Sequence, residues 1–176
     1  DIDNDGDMDV LSASEFDDKI TWYENTNSAV YEPNWTAHTV ISASDNNLPN
    51  LVGIDAIDLD RDGDIDILSS GAGAGDDNIR WHRNNGSQSF TSINIDNTGG
   101  WGVKAGDMDG DGDIDVLLGQ NEPSNGTIQL FKNNGSQSWT NTSVTTAEAF
   151  PTSIFVIDLD QDGDNDFLCT SLSSND

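Results

Sequence analysis

The sequence predicts an all-β fold assembled from repeated units of four antiparallel strands. Three observations carry that prediction. A nine-residue acidic motif returns four times, beginning at Asp1, Asp58, Asp107 and Asp158, with spacings of 57, 49 and 51 residues. Apolar residues around each copy alternate with a period of two, which is a strand pattern rather than a helical one. Asn-Gly pairs at 85–86 and 134–135 mark short hairpins, because both residues tolerate the positive φ that such turns need. Four-stranded units recurring about every fifty residues are the pattern of β-propeller blades.

The elements follow in order along the chain. The first motif, Asp1-Ile-Asp-Asn-Asp-Gly-Asp-Met-Asp9, leads into a strand with Met8 and Val10 on one face. Trp22-Tyr-Glu-Asn-Thr-Asn27 is the first, weaker copy of a second recurring element. Ile54 and Ala56 alternate into the second motif at Asp58, and Ile65 and Ile67 continue beyond it. The Gly-rich stretch from Gly71 to Gly75 reads as a hairpin turn; it lacks the order and following helix of a phosphate cradle. Trp81-His-Arg-Asn-Asn-Gly-Ser-Gln-Ser-Phe90 matches Leu130-Phe-Lys-Asn-Asn-Gly-Ser-Gln-Ser-Trp139 at an offset of 49. In the third unit, strands are expected over Trp101–Gly106, Ile114–Leu118, Thr127–Lys132 and Ser138–Val144, with the acidic loop joining the first to the second. After the fourth motif, Phe167-Leu168-Cys169 is apolar, so Cys169, the one cysteine, reads as a buried packing residue.

The chain thus reads as one repeat array over 1–176, with modules at about 1–50, 51–99, 100–149 and 150–176, the outer two being partial blades. A ring of four to eight blades at this module size needs roughly 200–400 residues. The array is therefore expected to belong to a larger propeller, completed by further blades from the same or another chain.

Charge narrows the function. The chain carries 33 acidic and 6 basic residues, a formal charge of −27. Nucleic acid and anionic membrane surfaces attract Lys and Arg, so neither is an expected partner. The longest apolar runs fall far short of the ~20 residues that span a bilayer. Self-repulsion of this size opposes compaction, which points to cations. Each motif reads Asp-x-Asp-x-Asp-Gly-Asp-x-Asp. Calcium takes six to eight oxygen ligands at roughly 2.3–2.6 Å, and carboxylates at positions 1, 3 and 5 supply three as the chain wraps the ion. Gly at position 6 permits the sharp turn. Position 7 offers its backbone carbonyl, and the Asp at position 9 closes the shell. The candidate ligand residues are Asp1, Asp3, Asp5, Asp7 and Asp9; Asp58, Asp60, Asp62, Asp64 and Asp66; Asp107, Asp109, Asp111, Asp113 and Asp115; and Asp158, Asp160, Asp162, Asp164 and Asp166. About one calcium ion per loop is expected. Zinc and copper need His or Cys, which the loops lack. An EF-hand needs Glu at position 12 and flanking helices; position 12 here is Ser12, Ser69, Leu118 or Cys169.

An Asp-x-Asp-x-Asp-Gly-x-x-Asp loop between strands, followed by an aromatic strand and an Asn-Gly turn, resembles the FG-GAP/VCBS repeat family, which includes the integrin α-subunit propeller. The resemblance covers nearly the whole chain. It implies a seven-bladed propeller, calcium at the rim of each blade, an extracellular or cell-surface location, and a role in adhesion or ligand display. No Phe-Gly…Gly-Ala-Pro signature is legible, and the fourth loop has Asn165 where the others have Met8, Ile65 and Ile114.

Catalytic patterns are absent from the sequence. Only His38 and His82 occur, neither in a metal-ligand spacing nor beside a nucleophile motif. The chain is expected to be non-enzymatic: a calcium-binding scaffold of a secreted or surface protein. Two alternatives stay open, a lectin-like carbohydrate-binding module and a non-catalytic appendage of a polysaccharide-degrading enzyme. Trp22 and Trp81 occupy equivalent positions and read as packing residues. Trp101 breaks the repeat, standing where the other copies carry Val52 and Thr152, and is the candidate for stacking on a sugar ring.

Overall fold

A computed structural model describes residues 1–26, 34–42, 50–72, 78–120, 126–146 and 150–172. Within them the chain forms thirteen strands and no helix. Blade 1 contains β1 (Val10–Ser14), β2 (Lys19–Asn25) and β3 (Trp35–Ile41). Blade 2 contains β4 (Leu51–Ile57), β5 (Asp66–Gly71), β6 (Ile79–Asn84) and β7 (Phe90–Asp96). Blade 3 repeats this with β8 (Gly100–Gly106), β9 (Asp115–Gln120), β10 (Thr127–Asn133) and β11 (Trp139–Thr146), and blade 4 has β12 (Phe150–Ile157) and β13 (Asp166–Leu172). Each blade is a separate antiparallel meander with neighbouring strands in chain order. The result is a partial β-propeller. The four strands expected of the third unit are present to within two residues at each end. The turn expected over Gly71–Gly75 begins as foreseen, with the Gly71 amide donating to the Asn78 carbonyl at 3.2 Å. Residues 73–77, like Asn27, lie outside the described residues.

Period-two alternation here places apolar groups on both faces, because a blade is packed between two others. In β5, Ile67 faces blade 1 with Ile20, Ile41 and Leu51, while Leu68 faces blade 3 with Trp81, Val103, Val116, Leu118 and Phe131. Leu117 in turn meets Ile128 and Ile154 towards blade 4. All six residues of β5 are consequently buried. At the equivalent of Ile67, Val10 is 48% exposed, since among the described residues no sheet covers that side of blade 1. Trp22 and Trp81 are both buried, as packing residues should be.

Glycines let the blades approach. A Cβ on Gly53 would strike the Ser70 hydroxyl and lie 3.1 Å from both the Trp101 carbonyl and the Val103 amide of the next blade. Lys104 and the Ala105 amide both reach back to the Asp55 carboxylate of blade 2.

One expectation is corrected. Cys169 is exposed. It lies on β13, which among the described residues pairs with β12 alone, whereas the equivalent Ser69 and Leu118 lie on strands paired on both sides.

Candidate metal centre

The four acidic loops share one backbone conformation. Position 4 is left-handed in every copy: Asn4 at φ 61°, Arg61 at 60°, Gly110 at 72° and Gln161 at 63°. Position 6 is Gly at φ 97°, 98°, 96° and 101°. Such angles disfavour any residue with a Cβ. A Cβ on Gly6, Gly63 or Gly163 would meet nothing within 4 Å, so conformation and not space demands glycine there.

Carboxylates organise the loop from within. At position 1, Asp1, Asp58, Asp107 and Asp158 each accept a bond from the position-6 amide, at 3.0–3.2 Å. The Asp at position 5 accepts from the position-7 amide in all four loops, at 2.8–3.0 Å. Position 9 braces the loop. One oxygen of Asp9, Asp66, Asp115 and Asp166 accepts from the amide at position 2. In the first three blades the other oxygen accepts from the amide of Asn25, Asn84 or Asn133, at the ends of β2, β6 and β10, 2.8–2.9 Å away. The side chains of those Asn residues reach the position-8 carbonyl. Their part in the loop is absent from the expected set, although the signal was present: Asn recurs beside each aromatic strand, immediately before the turn.

Three carboxylates converge in each loop, with oxygens within 4.8 Å of one another. They are Asp1, Asp3 and Asp5; Asp58, Asp60 and Asp62; Asp107, Asp109 and Asp115; and Asp158, Asp160 and Asp166. Positions 1 and 3 are thus common to all four, joined by position 5 in the first two and position 9 in the last two. Asp9, Asp66, Asp111 and Asp162 stand outside these triplets. So do the position-7 carboxylates of Asp7, Asp64, Asp113 and Asp164. Two of these pack against the hairpins: a Cβ on Gly86 or Gly135 would fall 2.6 Å from Asp64 or Asp113 Oδ2.

The donor set fits calcium. Ligands at 2.3–2.6 Å from one ion stand at most about 5 Å apart, and the triplets meet that limit. Asp1 Oδ1, Asp60 Oδ1 and Asp158 Oδ1 are buried without any hydrogen-bond partner. An anionic oxygen left so is costly unless a cation satisfies it. Burial, with neighbouring carboxylates adding to it, pushes Asp3 and Asp60 above the usual carboxylate range. Burial raises Asp66 to about 6 despite its hydrogen bonds from the Asn84 and Leu59 amides. Burial opposes the amide bonds from Asn25 and Ile2 at Asp9, but there the bonds prevail and its carboxyl is lowered.

Adjacent loops touch. The Asn4 side chain donates to the Gly63 carbonyl at 3.2 Å, and the Arg61 guanidinium lies against Gly112. Asn165, the departure from the repeat, donates to the Asp107 carbonyl at 2.9 Å, tying loop 4 to loop 3. Trp101 is 40% exposed in an open groove between inner strands, beside Val52, Thr152 and Ser153.

Separate antiparallel blades, each with an acidic loop that in blades 2, 3 and 4 joins the first two strands, define a propeller-type repeat scaffold. The model of the FG-GAP-like repeat matches residues 1–69, 58–118 and 107–169, each match running from one acidic loop through the next. The chain belongs to the FG-GAP-like repeat family. No curated protein matches it significantly.

Proposed function

We propose that the chain is a calcium-stiffened scaffold of a secreted or cell-surface protein, which displays ligand-binding or adhesive surfaces and catalyses nothing itself. The observation that carries this reading is the recurrence of converging carboxylates in four loops, three of which hold a buried oxygen lacking a donor. Asp at positions 1 and 3 would hold the ion, with positions 5 or 9 completing the carboxylate set. The ion would supply positive charge, turning the repulsion within each loop into cohesion between the β-strands that flank it. Family membership supports the scaffold role and the extracellular setting.

Chelation tests this. An ion bound only by the folded state adds about 2.7 kcal/mol per site at a hundredfold excess over Kd. Excess chelator should lower the melting temperature markedly, and calcium should restore it. An unchanged melt would refute the reading.

The exposure of Trp101 in its groove favours one second reading, a carbohydrate-binding module. A glycan array probed in calcium with wild type and Trp101→Ala tests it: binding lost in the variant supports it, and no binding by wild type refutes it.

A further inference from the structure

The loops differ in one neighbour. The residue just before the bracing Asn, on β2, β6 or β10, faces the position-3 carboxylate, and it is Glu24 in blade 1, Arg83 in blade 2 and Lys132 in blade 3. Lys132 Nζ donates to Asp109 Oδ2 at 3.0 Å. Arg83 Nη1 stands 4.0 Å from Asp60 Oδ2. Glu24 instead adds negative charge beside Asp3, and is itself paired with His38 at 2.6 Å. Asp109 is at once a member of the loop-3 triplet and the partner of Lys132.

We propose that Lys132 is a tethered counter-ion of the third loop: it competes with calcium for Asp109 and holds the loop together when calcium is scarce. This rests on the calcium reading given above. Two effects of opposite sign follow. In the metal-free loop, the ammonium offsets repulsion among Asp107, Asp109 and Asp115. In the loaded loop, it must give up Asp109 or stand beside a divalent cation. A single side chain therefore raises the stability of the free state and lowers affinity for the ion. Arg83 acts in the same direction on loop 2, more weakly because it stands farther away. The chain is then graded: its loops fill over different calcium ranges, and blade 3 keeps its loop when the ion falls.

The test is Lys132→Met, which keeps the stem length and removes the charge. Calcium is titrated into nitrogen-labelled protein at low ionic strength, and the amide signal of Gly112 reports loop 3 while that of Gly63 reports loop 2. Loop 3 of the variant should bind about two- to fivefold tighter, the range set by exposed ion pairs. The gain should shrink as salt screens the charge. In chelator the variant should melt below wild type. Arg83→Met, read at Gly63, is the second variant and should show a smaller gain. Unchanged or weaker binding in Lys132→Met, with wild-type protein binding calcium normally, would overturn the inference and leave the calcium reading intact. Wild-type protein that shows no response at any loop would overturn both.

Discussion

His82 makes blade 2 sensitive to acid in a way that needs no metal. It is fully buried on β6, with Nε2 2.8 Å from the Ser69 hydroxyl and Nδ1 2.8 Å from the Ser92 hydroxyl. Both partners are hydroxyls, which can donate or accept, so a neutral imidazole is fully satisfied in either tautomer. Burial first, and the Arg80 charge second, depress its pKa from 6.5 to about 3. The unfolded chain therefore binds a proton through a range where the folded chain does not. Stability from this group is complete above pH 6.5 and is lost as pH falls towards 3. Between pH 7 and pH 5 the loss is about 2 kcal/mol, or some 4–8 °C in melting temperature for a chain of this size. His82→Phe abolishes it. Ser69→Leu with His82→Phe goes further, copying the Leu118 and Phe131 that blade 3 carries at the same positions. Thermal melts by circular dichroism at both pH values, in saturating calcium, are compared between wild type and variants. Acid titration of the loops is common to all and cancels in the difference. The wild type should lose more stability than either variant. Equal losses would refute a neutral, buried His82.

Other perturbations address the loops and the stack. Asp58→Asn should remove one calcium ion from the titrated total, whereas Asp64→Asn, whose carboxylate lies against Gly86 and outside the triplet, should leave the total unchanged. Gly135→Ala combines φ 72° with a Cβ 2.6 Å from Asp113 Oδ2, and should cost about 1–2 kcal/mol by chemical denaturation. Leu68→Ala, at the centre of the packing between blades 2 and 3, should cost about 2–5 kcal/mol in the same assay.

Much of this was legible because the repeat is periodic in the sequence itself. Motif spacing located the loops, alternation located the strands, and Asn-Gly located the hairpins. What alternation did not convey is burial on both faces: Ile67 and Leu68 are adjacent, and both are fully covered because blades lie on either side. The exposure of Cys169 had the converse cause, an apolar run on a strand with a neighbour on one side only among the described residues. The loop carboxylates were visible as a set of five Asp residues, but not their division of labour. A linear motif cannot distinguish a carboxylate that converges on its neighbours, such as Asp60, from one that supports a hairpin, such as Asp64. The bracing Asn84 and Asn133 were hidden inside a turn signature, and their bonds to Asp66 and Asp115 span 18 residues. Asn165 broke the pattern in sequence because its partner is on the neighbouring loop.

Isothermal titration of the metal-free chain with calcium tests the central claim most directly. About four ions per chain are expected, with dissociation constants in the extracellular range of roughly 10⁻⁴–10⁻³ M or somewhat tighter. Binding of one ion, or of none, would contradict it.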